Sequence, residues 1–328
     1  MKRFLILLLA VLMMLSLGCS KPEEEVAETN LIRIGFSQTG AESDWRIAHT
    51  NSIVEALCEA NGCELLMDNA RQKQENQFLA IRTFIQEEVD YIILAPVSEY
   101  GWENVLREAK DAGIPVILVD RKISVSDDSL YVSWIGSDFY KEGERAAQWL
   151  DDYLWKERRD HEKIRILHLQ GTENSTSQLM RTKALNDAVA RQDLWSICAV
   201  LKGEYVEAKT YELVRDYLTR DTDFDVIYSE NDNMTFGAIR ALDEAGITYG
   251  ANGDVIIISF DATKAALYDC INQKIDLCVE CNPLHGPDVL NVIQLIEQGM
   301  TPPRRNFVNE TTYTPGSLIP ELVAIREY

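Results

Sequence analysis

From about position 31 onward, apolar runs alternate with segments whose apolar residues recur at helical spacing. Ile32–Phe36 reads as a strand and Trp45–Ala60 as the helix that follows it. Leu65–Met67 is a short strand. Phe78, Ile81 and Ile85 then share one helical face. Tyr91–Ala95 is a buried strand run. Trp102, Val105, Leu106 and Ala109 form the next helical stripe, which stops at Gly113, and Pro115–Val119 is a further strand. Strands that are apolar almost throughout, set between helices, mark a parallel sheet covered on both faces, an α/β architecture.

The pattern recurs in the second half. Ile164-Arg165-Ile166-Leu167-His168-Leu169-Gln170 echoes Ile32-Arg33-Ile34-Gly35-Phe36-Ser37-Gln38, and an arginine (Arg181, Arg46) lies a short way beyond each glutamine. Ala109-Lys110-Asp111-Ala112-Gly113-Ile114 leads into a strand ending at Asp120. Leu242-Asp243-Glu244-Ala245-Gly246-Ile247 leads into one ending at Asp261. The offset is 132 residues at the start of the repeat and 141 at its end, so an α/β unit is duplicated with little drift. Ligands of open parallel sheets bind beyond the carboxyl ends of the strands. Two such sheets face to face would point both aspartates into one cleft.

Residues that follow strands supply the candidate chemistry: Trp45, Arg46, Asp120, Arg121, Arg181, Asn231 and Asp261. Carboxylates and amides accept from neighbouring hydroxyls, arginines donate in a planar fork, and an indole offers a flat face to the C–H side of a sugar ring. Aspartate set beside arginine also lets a neutral ligand be enclosed without an unpaired ion. The expected ligand is therefore a neutral polyol.

Charge and the N-terminus narrow the setting. The chain of 328 residues carries 53 acidic and 32 basic residues, a net charge of −21, with no basic patch, which disfavours nucleic acid as a partner. Lys2 and Arg3 precede an unbroken apolar run, Phe4–Leu15, too short to span a bilayer but suited to a secretory signal. Gly18-Cys19 after it resembles a bacterial lipobox, with Ser16 standing where that pattern prefers leucine. Residues 1–18 are read as a signal peptide, Cys19 as lipidated, and residues 19–30 as a flexible tether. Six further cysteines permit disulfides in an exported protein, with Cys58 and Cys63 a candidate pair. Cys278-Val-Glu-Cys281, with His285 beyond, has metal-ligand spacing but no second paired motif, so no metal is expected. Four histidines, none in an HExxH arrangement, and the absence of nucleophile-elbow or phosphate-loop motifs argue against an enzyme and against a cofactor.

Several runs resemble the type I periplasmic binding proteins of sugar ABC importers, the ribose/galactose class. They are Gly35-Phe36-Ser37-Gln38, Ala95-Pro96-Val97, Ile114-Pro115-Val116 leading to Asp120-Arg121, Asn231-Asp232-Asn233-Met234 and Phe260-Asp261. Glu42-Ser43-Asp44-Trp45-Arg46 and Lys73-Gln74-Glu75-Asn76-Gln77 are more specific to the galactofuranose-binding branch. The resemblance implies two Rossmann-like lobes joined by a three-strand hinge, with crossings near Gly136-Ser137, Glu280 and Asn309. It assigns 31–136 and 281–309 to the N-lobe, and 137–280 and 310–328 to the C-lobe. It adds Glu42 and Asn282 to the sugar-contacting set. It implies a monomeric, lipid-anchored extracytoplasmic receptor that closes on a monosaccharide and delivers it to an ABC permease with its ATPase. A sensor of the same fold, presenting sugar to a histidine kinase or chemoreceptor, is the competing reading.

Overall fold

The computed structural model describes residues 31–328, so Cys19 and the segments read as signal peptide and tether lie outside the described residues. Two six-stranded sheets carry the fold. The first holds β1 (Ile32–Gln38), β2 (Cys63–Asn69), β3 (Tyr91–Leu94), β4 (Val116–Val119), β5 (Ser133–Gly136) and β11 (Arg305–Phe307). The second holds β6 (Ile164–Gln170), β7 (Trp195–Lys202), β8 (Val226–Ser229), β9 (Ile256–Asp261), β10 (Leu277–Glu280) and β12 (Thr312–Tyr313). Their orders are β2-β1-β3-β4-β5-β11 and β7-β6-β8-β9-β10-β12, so the first five strands of each half pair in the same sequence. This is the two-lobe α/β arrangement that the resemblance implies.

All pairings are parallel except β10 with β12. The helices are α1 (Asp44–Ala56), α2 (Gln74–Gln86), α3 (Glu103–Asp111), α4 (Phe139–Lys156), α5 (Thr176–Val189), α6 (Glu207–Leu218), α7 (Asp232–Ala245), α8 (Lys264–Ile271), α9 (Gly286–Glu297) and α10 (Pro320–Ala324). The central strands β3, β4, β8, β9 and β10 are buried at every position, as their unbroken apolar runs require. Each face of a sheet has its own core. In the first lobe, Ile34, Phe36, Ile93 and Ile117 pack with Val289 and Ile293, while Ile92, Leu94 and Leu118 pack with Phe84 and Leu106 on the other side.

The chain passes between the sheets three times: after β5, after β10, and between β11 and β12. The second passage carries α9 back onto α1. A Cβ at Gly286 would lie 1.9 Å from the Ser52 carbonyl oxygen, so only glycine permits that approach.

Two local expectations are corrected. The helix read as Trp45–Ala60 ends at Ala56, because the Asn61 side chain donates to the Ala56 carbonyl and Gly62 turns the chain at φ 78. Cys58 and Cys63 are not bridged. A single 3-10 turn separates them, the Cys63 N–H donates to the Cys58 carbonyl, and both thiols are free.

Candidate functional site

Strand ends of both sheets converge on one cavity. Its walls include Glu42, Trp45, Arg46, Asp120, Arg121, Arg181, Asn231 and Asp261, eight of the nine expected contact residues, together with Ser43, Phe139, Ser177, Tyr205 and Cys281. Asn282 is not among the lining residues. Its Oδ1 accepts from the Leu284 N–H at 2.9 Å and its own N–H donates to Glu310, so it shapes the turn and leaves Cys281 on the wall.

Local conformation aims these groups. Asp120 and Asp261 both sit in the left-handed region, at φ 63 and φ 104, a strain that folded structures retain where a side chain must be aimed. Asp120 is held there by its N–H, which donates to the Ile135 carbonyl, and by the Trp134 indole, which donates to the Asp120 carbonyl. Ser43 caps α1 through the Arg46 N–H, placing Trp45 and Arg46 in the first turn. Asn231 caps α7 with its Oδ1, which accepts from the Met234 N–H at 2.9 Å and leaves its NH2 for a ligand.

Charges in the cavity are paired but not fully bonded. Arg46 lies 2.7 Å from Asp120 and 3.2 Å from Glu42. Burial opposes its charge, yet the two carboxylates hold its pKa above the ordinary arginine value. Arg181 donates to Glu142 at 2.7 Å and to the Glu230 carbonyl at 2.6 Å, and sits over the Phe139 and Phe260 rings. Burial, then Arg46, lowers the Arg121 pKa; its Nη1 donates to the Val97 carbonyl. Burial raises the Asp261 carboxyl well above the usual range, against the pull of Arg181. Three buried polar atoms of the cavity residues have neither a hydrogen-bond partner nor a counter-charge within hydrogen-bonding distance: Arg121 Nε, Arg181 Nη2 and Glu42 Oε2. Asp120 Oδ2 is engaged by Arg46. Orphans of this kind normally have a ligand or water to satisfy them.

The indole of Trp45 donates to the Cys281 carbonyl at 2.7 Å, so its polar atom is occupied and its remaining surface is apolar. Trp45, Phe139 and Cys281 pack on one another as a buried cluster. His49 stacks on Trp45 at 5.2 Å and meets His285 at 3.2 Å.

The rim is closed by contacts between the lobes. Asn233 exchanges two hydrogen bonds with Asp44, and Thr176 exchanges two with the backbone of Lys122. The Glu99 N–H donates to the Asn174 carbonyl.

Sequence reasoning missed Tyr205, Ser177 and Phe139. Tyr205 ends a pair of consecutive left-handed residues, Glu204 and Tyr205, after β7. Arg71 and Gln72 form the same pair after β2, an equivalence of backbone that the residue types at the two places do not share. The Tyr205 ring lies so close to Gly171 that a Cβ there would meet it at 2.0 Å. The Lys73–Gln77 run, in contrast, is scaffold. Gln77 bonds the Ala95 carbonyl and the Val97 N–H, and Gln74 bonds the Tyr100 carbonyl, which fixes the loop that holds Arg121.

Two α/β lobes of like topology, with one polar cavity between their strand ends, define a two-lobe ligand-binding protein. Residues 34–283 match the family model described as a periplasmic binding protein domain, and the chain belongs to that family. It is 32% identical over 295 residues to the galactofuranose-binding protein of Escherichia coli (strain K12), covering 89% of this chain and 90% of that one. A crystal structure from Mycobacterium smegmatis in complex with β-D-fucofuranose is 34% identical with a TM-score of 0.82, over 87% of this chain and 92% of the other. The binding component of an arabinose ABC transporter from Shewanella sp. ANA-3, bound to α- and β-L-arabinofuranose, is 34% identical with a TM-score of 0.80, over 89% and 93%. No helix among the described residues is long and apolar enough to cross a membrane.

Proposed function

We propose that the protein binds a monosaccharide in its five-membered ring form between the two lobes and delivers it to an ABC permease. The observation that carries this reading is the balance of the cavity. Three carboxylates (Glu42, Asp120, Asp261) and three guanidiniums (Arg46, Arg121, Arg181) line it, and both kinds keep polar atoms free. A neutral ligand with several hydroxyls, both donors and acceptors, fits that set, and the Trp45–Phe139–Cys281 patch suits its C–H face. The names of three relatives about one-third identical each carry a furanose, which supports the ring form.

In this reading Glu42, Trp45, Arg46, Asp120 and Arg121 contact the sugar from the N-lobe (31–136 with 281–309), and Arg181, Asn231 and Asp261 from the C-lobe (137–280 with 310–328). Lipidated Cys19 tethers the receptor outside the cytoplasm. A thermal-shift and calorimetric panel of D-galactose, D-fucose, L-arabinose, D-ribose and D-fructose tests the ligand class, with saturable heat from at least one expected. A panel with no binder overturns it. Mass spectrometry of the mature N-terminus tests the tether, and an unmodified Cys19 overturns that part.

A further inference from the structure

One buried carboxylate ties all three passages between the lobes. Glu310 lies in the third, with a side chain only 3% exposed. Its Oε1 accepts from the Asn282 N–H at 3.0 Å, in the second passage, and from the Ser137 hydroxyl, in the first. Its Oε2 is 3.5 Å from Arg145. A second buried carboxylate faces it. Glu142, on α4, holds the cavity's Arg181 with Oε2, while its Oε1 has no hydrogen-bond partner. An oxygen of each carboxylate and the Cys281 thiol lie within 4.8 Å of one another.

Two carboxylates this close and this dry cannot both ionise cheaply. The cations beside them are Arg145, which is one-third exposed, and Arg181, which is shared with Asp261. Glu280, next in the chain to Cys281, takes no part, because Arg326, the Tyr328 hydroxyl and the Thr311 N–H engage its oxygens. Guanidiniums on two sides disfavour a metal cation in the cluster and leave a proton as the neutralising charge.

We propose that Glu310 is a positioning residue for ligand binding: a hinge carboxyl that is protonated when the lobes are closed and ionised when opening admits water, so that binding takes up a proton. The proposal rests on the two-lobe sugar reading above. Burial, then Glu142, pushes this carboxyl up to about 8, against the Ser137 and Asn282 donors and Arg145. The sign follows. The closed form is favoured at low pH, and that advantage is lost as pH rises from the ordinary carboxylate range through about 8. Affinity falls by up to about tenfold per pH unit across this window and levels off above it.

The test is calorimetry with each sugar of the panel at pH 6.5, in phosphate and in imidazole, whose ionisation heats differ, followed by affinity from pH 5 to 9. The Asp261 carboxyl is also raised, so the comparison with E310Q decides. E310Q is expected to take up close to one proton fewer than wild type and to show a flatter pH profile. S137A, which removes a donor favouring the ionised form, moves the upper end of the window to higher pH and serves if E310Q does not fold. Equal proton uptake in E310Q and wild type, or an unmoved window in S137A, overturns the proposal while leaving the sugar reading intact. A panel with no heat from any sugar overturns both.

Discussion

Asn233→Ala isolates the contribution of lobe closure to affinity. Asn233 sits in the first turn of α7 and lies outside the cavity, but its side chain makes both hydrogen bonds to Asp44 across the rim, each 3.1 Å. The substitution removes both. A net hydrogen bond is worth ~0.5–1.5 kcal/mol, and Asp44 is exposed, so water can take up its freed carboxylate. The pair then contributes about 1–2 kcal/mol to the closed state, and its loss weakens binding roughly 5- to 30-fold. Alanine is the better helix former, so the C-lobe itself is not weakened. Calorimetry gives the affinity, and a thermal melt without sugar reports folding. Asp44→Ala provides the internal control. It loses only the side-chain bond, since its N–H still reaches Asn233, and it also removes an acidic group from the first turn of α1, worth ~0.3–1 kcal/mol. In the double variant the two losses should be less than additive, because one bond is common to both. An Asn233→Ala affinity within twofold of wild type refutes the idea that rim contacts help hold the closed state.

Two further outcomes are expected. Asp120→Ala and Asp261→Ala each strand hydroxyls of an enclosed ligand, at ~1–3 kcal/mol, and calorimetry should show roughly 5- to 150-fold weaker binding in both, because the cavity draws on both lobes. His49 and His285 form a buried neutral pair. Burial lowers both, His285 to about 4, so their contribution to stability is present above the unfolded value near 6.5 and lost as pH falls toward 4, at about 3 kcal/mol for His285. The drop in melting temperature between pH 6.5 and 5 should be smaller in His285→Gln than in wild type, and equal drops would show that His285 does not supply this term.

Much of the fold was legible because buried parallel strands are apolar throughout, and the duplicated unit repeats that signal at a nearly constant offset. The same repeat pointed to Asp120 and Asp261, which the structure brings to one cavity. Tyr205 was not read because it follows β7, an edge strand whose burial alternates, and because its left-handed backbone leaves no trace in residue type. Phe139 was missed because β5, the short strand whose end precedes it, was not among the runs read as strands. Asn282 was placed one residue away from the lining residue, Cys281. The turn draws its amide back on itself, a distinction of one peptide unit that residue spacing does not encode.

The pairing inside the cavity bears on specificity more than on stability. Replacing a buried ion pair with well-packed apolar residues is often neutral or stabilising, so three arginines and three carboxylates are not needed to hold two lobes together. Their pairing leaves single atoms unbonded: one edge of Arg121, one terminal nitrogen of Arg181 and one oxygen of Glu42. Each is a fixed donor or acceptor whose direction is set by its partner charge. A ligand that meets all of them gains bonds from groups already desolvated. A sugar lacking one hydroxyl leaves one polar atom of a buried, already paired group without a bond, which costs ~1–3 kcal/mol. Discrimination between monosaccharides of nearly equal size should therefore follow which hydroxyls meet these three atoms, and one-atom deoxy analogues should differ in affinity far more than their contact area predicts.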